Sequence, residues 1–258
     1  MSNDVLLVDL RGGILTLTIN RPRQSNALRM DLLDGLGQSL ADHVNDESVK
    51  CAVITAAGSR CFAAGGDLKE LDAVRTPEQA EAMSKRGRRA LDQVRQFPVP
   101  VVGALNGLAL GGGAELAMAC DLRVAAPGAE IGFLQGGLNV TTAWGGGIDL
   151  VAAVGGRRAL ELLTSARRVK ADEALVLGIV DRVCAPGETL PACLAEYLAP
   201  CLSRTRRVLE GFKAITTGHR QAVHERLSGI EQRHFLATWT HDDHWAAAER
   251  AAARRPGS

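Results

Sequence analysis

Asn106-Gly107-Leu108-Ala109-Leu110-Gly111-Gly112-Gly113-Ala114-Glu115-Leu116 joins a strand pattern to a helical one, and the rest of the chain is read outward from it. Ahead of it, Val101-Val102-Gly103-Ala104-Leu105 is an apolar run of strand length; behind it, residues 113–119 read as a helix. Glycines at such a junction permit positive φ and let a ligand approach the backbone. Free amides at the start of a helix bind a developing negative charge, helped by the helix dipole. A second loop, Phe62-Ala63-Ala64-Gly65-Gly66-Asp67-Leu68, also follows a strand. Two such loops face to face would form an oxyanion hole from backbone amides alone. On spacing alone, tight turns with close packing account for the glycines equally well. Neither loop, nor the later run Gly145-Gly146-Gly147, is a P-loop or a dinucleotide fingerprint.

Glu115 lies three residues after Gly112, about one helical turn or roughly 5 Å along the axis. Helical side chains lean toward the N-terminus, so its carboxylate points back at the glycine amides. Enclosed by Leu110, Leu116 and Ala117, it would hold its proton more tightly than usual, which suits acid/base work. A glutamate that only favours the helix dipole is the plainer alternative.

Around this centre the pattern is α/β. Residues 4–10 and 14–19 read as a hairpin through Arg11-Gly12-Gly13, residues 30–44 and 77–96 as helices, and 51–55 as a covered strand. Leu122–Ala126 and Gly178–Val183 read as further strands. Helices are expected at 147–153, 156–163, 171–177, 188–202, 204–217, 221–237 and 240–254. Strands and helices alternate first and helices alone follow, which suggests an α/β core, residues 1–195, with a helical region at 196–258.

The 258 residues are enough for one sizeable core. Thirty Lys and Arg against 29 Asp and Glu leave a net of +1, so neither nucleic acid nor an anionic membrane is expected as a partner. Met1–Val5 lacks the basic segment and apolar run of a secretory signal. Six cysteines without a C-x-x-C pair are scattered through apolar segments, as reduced thiols in a cytoplasmic protein would be.

Taken together, Asn20-Arg21-Pro22, Asn26-Ala27-Leu28, the two glycine loops, Ala171-Asp172-Glu173-Ala174 and Leu177-Gly178-Ile179-Val180-Asp181 resemble the crotonase (enoyl-CoA hydratase/isomerase) family in order and spacing. The resemblance covers residues 5 to 185 well and the tail more loosely. It implies the crotonase (ClpP-like) spiral of ββα units with a C-terminal helical region, assembled as a homotrimer or homohexamer. It further implies an acyl-CoA substrate, with no cofactor beyond the CoA that the substrate carries. The thioester oxygen would sit between the amides of Gly66 and Gly112. Arg23, Ala27 and Leu28 would lie along the CoA, and Ala64, Asp67 and Leu68 would line its adenine pocket. Glu115 matches the first catalytic glutamate of the hydratases. The second should fall at residue 135, which is Gln135, and an amide does not exchange a proton at neutral pH.

Three functions follow from that departure. The first is hydratase/isomerase chemistry with Glu115 as sole acid/base and Gln135 orienting substrate or water. The second is decarboxylation of a short malonyl-type CoA, methylmalonyl- or ethylmalonyl-CoA, because Trp144 before Gly145-Gly146 resembles the branch that includes ethylmalonyl-CoA decarboxylase. Loss of CO₂ yields the enolate with no activated water. The third is a non-catalytic acyl-CoA-binding protein. Trp144 also reads as a packing residue that shapes the acyl pocket. His241-Asp242-Asp243-His244 is expected on an exposed helix face rather than at a metal, and Arg204, Arg206, Arg207 and Arg254-Arg255 as solvated basic patches.

Overall fold

The computed structural model describes residues 5–253. The expected strand start at residue 4, most of the N-terminal segment, the end of the last helix and Arg254-Arg255 lie outside them.

Strands β1 (Leu6–Arg11) and β2 (Ile14–Ile19) pair antiparallel, with Arg11 opposite Ile14, so Gly12-Gly13 is a two-residue turn. Leu15, Leu17 and Ile19 of β2 alternate inward. Next come α1 (Met30–Asp42), β3 (Cys51–Ala56), β4 (Cys61–Ala63), α2 (Leu68–Asp72) and α3 (Pro77–Gln96). They are followed by β5 (Val101–Leu105), β6 (Leu108–Leu110), α4 (Gly112–Ala119), β7 (Leu122–Ala125) and β8 (Glu130–Gly132). The chain continues through α5 (Gly146–Val154), α6 (Gly156–Ser165), β9 (Val169–Lys170), α7 (Ala171–Leu177) and β10 (Arg182–Val183). It closes with α8 (Leu190–Leu202), α9 (Arg206–Trp239) and α10 (Asp242–Ala253).

One sheet has the order β1-β2-β3-β5-β7-β10 and is parallel from β2 onward; the other has the order β4-β6-β8-β9. After the β1–β2 hairpin, the pairs β3–β4, β5–β6 and β7–β8 each lay one strand in the long sheet and one in the short sheet before the chain returns through a helix. This is the expected α/β spiral of ββα units.

The long sheet is covered on both faces, which explains its unbroken apolar strands. Ala52, Ile54, Val101 and Leu105 join the main core with Leu33, Leu36, Leu91 and Val94 of α1 and α3. Cys51, Val53, Val102, Ala104 and Val124 point the other way, onto Cys193 and Leu198 of α8. The expected division after residue 195 thus falls inside a helix that packs on the core sheet through residues on both sides of it.

Four further expectations change; the first is Arg206, which is buried rather than solvated, its guanidinium donating to the carbonyls of Val49 at 2.8 Å and Val44 at 2.6 Å. Residues 204–217 and 221–237 form the single helix α9. An internal glycine costs a helix only about 1 kcal/mol, and tertiary bonds hold both sides of Gly218: Lys213 to Asp121 at 2.5 Å and Arg220 to Asp149 at 2.9 Å. The strand expected over 178–183 shrinks to Arg182–Val183, because Gly178 caps α7 and Ile179 turns back onto Ala174. His244 is buried rather than exposed, stacked on Trp239 with its Nδ1 2.7 Å from the Leu138 carbonyl.

Candidate active site

The two glycine loops meet because β4 and β6 are parallel neighbours in the short sheet. In each loop the residue before the expected oxyanion glycine has positive φ, +100° at Gly65 and +54° at Gly111. That backbone turn swings the next amide out of the strand direction, and only glycine adopts it cheaply. Gly65 lies against Leu110–Gly112; a methyl built on it would sit 3.5 Å from the Gly112 nitrogen. Among the described residues neither the Gly66 nor the Gly112 amide donates a hydrogen bond. Two free donors therefore sit side by side, one of them in the first turn of α4.

Glu115 stands one turn further along α4 and is 2% exposed. Its Oε2 accepts from the amides of Trp144 at 2.8 Å and Gly146 at 3.0 Å, so it caps the N-terminus of α5. Its Oε1 accepts from Gln135 Nε2 at 3.0 Å and, at 3.4 Å, from the Ala143 amide. Burial, and then the negative charge of Glu231, push its proton affinity up to about 7 against the pull of these amides. Gln135 therefore touches Glu115, and its own Oε1 is buried without a partner.

Trp144 is buried between α3 and α4. A methyl on Gly112 would lie 2.9 Å from its Cη2, and one on Gly87 would lie 2.5 Å from its Cε2. Its carbonyl accepts from Arg95 Nη2 at 2.7 Å. Arg95, Arg220 and His224 converge on Asp149, at 2.9, 2.9 and 2.7 Å, and the two arginines, with the His224 hydrogen bond, hold the Asp149 carboxyl far below the usual range despite its burial. Glu231 of α9 accepts from Thr142 Oγ1 at 2.5 Å, from the Gly145 amide at 3.0 Å and from Arg88. Residue patterns do not single out Arg88, Arg95, Asp149 or Glu231, which come together only through α3, α5 and α9.

The residues expected along a CoA lie at the rim. Arg23, Ala64 and Leu68 are exposed and Ala27 is half-buried, whereas the Leu28 side chain is fully buried in the core. Leu28 can offer only its backbone there, and that backbone pairs with Gly65 and Asp67. Asp67 caps α2 through the Lys69 amide at 3.1 Å and is ion-paired with Arg21 at 2.9 Å. Arg21 also bonds the Ala27 carbonyl at 2.5 Å, so it ties the two rim segments together. Away from this site, Cys184, Glu188 and Cys193 approach within 4.8 Å of one another. The Glu188 carboxylate already accepts from the Ala185 amide at 2.8 Å, and burial pushes the Cys184 thiol up to about 12, so side-chain packing accounts for the group.

The family model for enoyl-CoA hydratase/isomerase matches residues 9–254. The chain belongs to the enoyl-CoA hydratase/isomerase family. The short-chain-enoyl-CoA hydratase of Clostridium acetobutylicum is 37% identical over 188 residues, 73% of this chain and 71% of that protein. The ethylmalonyl-CoA decarboxylase of Xenopus laevis is 30% identical over 88% of this chain and 76% of that protein. A solved enoyl-CoA hydratase from Bacillus anthracis, 29% identical, superposes with a TM-score of 0.80 over 99% of this chain and 98% of its own. This enoyl-CoA hydratase/isomerase family member is thus an enzyme of that family in fold and sequence. Among its described residues no helix is long and apolar enough to cross a membrane.

Proposed function

We propose that the enzyme binds an acyl-CoA thioester with its carbonyl oxygen between the Gly66 and Gly112 amides and performs hydratase/isomerase-type chemistry with Glu115 as sole acid/base. One observation carries this reading: a buried carboxylate with proton affinity near neutrality stands one helical turn from two free amides. In hydration, Glu115 takes a proton from water as the water oxygen adds to the β-carbon of an enoyl thioester. The π electrons move to the carbonyl oxygen, giving an enolate that the two amides stabilise. The same carboxyl then protonates the α-carbon. Gln135 donates to Glu115 and leaves its unpartnered Oε1 as an acceptor for the water. The CoA lies along Arg23, Ala27 and the Leu28 backbone, with adenine near Ala64, Asp67 and Leu68.

Decarboxylation of methylmalonyl- or ethylmalonyl-CoA is the second reading. It is favoured by the amide at position 135 and by the Trp144 ring packed on Gly112. A homotrimer or homohexamer is part of the proposal, supported by Val208, Phe212 and Ile215, exposed along one side of α9 beside a cavity of about 460 Å³. So is a cytoplasmic location, supported by cysteines that are all free. The substrate's CoA is the only cofactor in the reading.

A paired turnover assay tests it, following the conjugated thioester absorbance of crotonyl-CoA and the mass of the two malonyl-type thioesters. Hydration that falls about 10²- to 10⁴-fold in Glu115→Gln, with CoA binding intact, is the expected result. Decarboxylation alone would establish the second reading. Activity that survived Glu115→Gln would overturn the role of Glu115, and CoA binding without any turnover would leave a non-catalytic binding protein.

A further inference from the structure

The segment Thr142–Gly146 is threaded between two buried carboxylates. Glu115 takes the amides of Ala143, Trp144 and Gly146 from one side. From the other side Glu231 takes the Gly145 amide and the Thr142 hydroxyl. Two arginines of α3 pin the same segment by its carbonyls: Arg95 bonds Trp144 at 2.7 Å, and Arg88 reaches Ala143 at 3.5 Å while pairing with Glu231. The Trp144 ring packed on Gly112 is therefore held by a strip of backbone whose far side belongs to α9. The Glu231 side chain is 8% exposed, and its hydrogen bonds go to that strip and to Arg88.

We propose that Glu231 is a positioning residue for Glu115, holding the segment that supplies the amide donors of Glu115 and keeping a second negative charge behind the proton-transferring carboxylate. The inference rests on the role given to Glu115 above and deepens it. The titratable and charged groups around the segment are Arg88 and Arg95 from α3, Asp149 from α5, and Arg220, His224 and Glu231 from α9. Arg95, Arg220 and His224 are taken up by Asp149, and Arg88 by Glu231. Glu115 itself accepts only from neutral amides, those of the backbone and of Gln135. A like charge nearby favours the protonated acid, and a cation bound to that charge weakens the effect. Removing Glu231's charge and removing its cation should therefore move Glu115 in opposite directions. A bracing role without electrostatic coupling would not do this.

The test is an infrared pH titration of the whole protein without substrate, with the Glu115 carboxyl band identified by its loss in Glu115→Gln. Glu231→Gln should lower the midpoint by about one pH unit, and Arg88→Gln should raise it by a similar amount. The double variant, which removes both charges, should return near the wild-type midpoint and keeps the test open where a single variant folds poorly. An unmoved midpoint in both single variants, or shifts of the same sign, would overturn the proposal. The readout needs no turnover. A protein silent toward every acyl-CoA would sink the functional reading and leave this coupling measurable.

Discussion

Three glycines at the centre of the site should respond very differently to the same added methyl. At Gly112 the new carbon would fall 2.9 Å from Trp144 Cη2 and closer still to Cζ3, where about 3.5–4.0 Å is comfortable. The indole cannot retreat, because α3 closes on its other side at Gly87. Overpacking of this kind costs about 1–3 kcal/mol. With a rigid ring trapped on both sides, about 3 kcal/mol is expected, a fall in Tm of about 6–12 °C for a chain of this size. The Gly112 amide would shift with its Cα, and loss of one oxyanion donor costs about 10²- to 10³-fold in kcat. At Gly66 the methyl meets Leu71 Cδ1 at 2.8 Å, the free end of a flexible side chain, and the backbone is not left-handed. Gly66→Ala should cost under about 1 kcal/mol and less than about tenfold in kcat. At Gly113 the methyl runs into the Ala63 carbonyl group, its carbon at 2.7 Å, so β4 and α4 must part and soluble protein should fall sharply. Urea unfolding and turnover of the three purified variants decide the matter. A double-mutant cycle with Trp144→Ala isolates the clash, since Gly112→Ala should cost less once the ring is gone. Equal damage at Gly66 and Gly112, or no relief in the cycle, would refute the reasoning.

Glu115 also makes stability depend on pH. Its proton affinity rises from 4.5 in the reference state to about 7 in the fold, so the folded chain holds the proton more tightly and ionisation weakens it. Stability should therefore fall, by an amount on the order of 3 kcal/mol, as pH climbs from about 4.5 through about 7. Glu115→Gln should escape that loss, so urea midpoints of variant and wild type should diverge between pH 5 and pH 8; a constant gap would contradict the assignment. Asp149→Asn removes the shared partner of buried Arg95 and half-buried Arg220 and should cost about 3 kcal/mol, read as a lowered urea midpoint across neutral pH.

Much of this molecule is legible in its sequence, for identifiable reasons. The start and end of α3 are marked by Thr76-Pro77 with Gln79, which form a capping box, and by Pro98 just beyond Gln96. The glycine loops and Glu115 declare themselves because backbone turns and a carboxylate one turn into a helix are local features. The short strands β4, β6, β8 and β9 are two or three residues each, too brief for any period to show. The continuity of α9 through Gly218 is decided by ion pairs to Asp121 and Asp149, about 92 and 71 positions away. Glu231 escapes a sequence reading for the same reason. Its neighbours on the helix say nothing about Thr142, Gly145 or Arg88, and the apparent lack of a second carboxylate at position 135 hides one that arrives from the far end of the chain.

The proposed site grips with main chain and reacts with side chains. The amides of Gly66 and Gly112 belong to successive turns of the spiral, and their separation is set by the pairing of the parallel strands β4 and β6 that precede them. That ruler is made of main chain, so changes to side chains leave it standing. In the proposed reaction protons are handled by side chains, Glu115 with Gln135 and the charges behind it, which can be exchanged one at a time. A single scaffold can thus keep a constant hold on a carbonyl oxygen while the fate of the enolate is rewritten by a few substitutions.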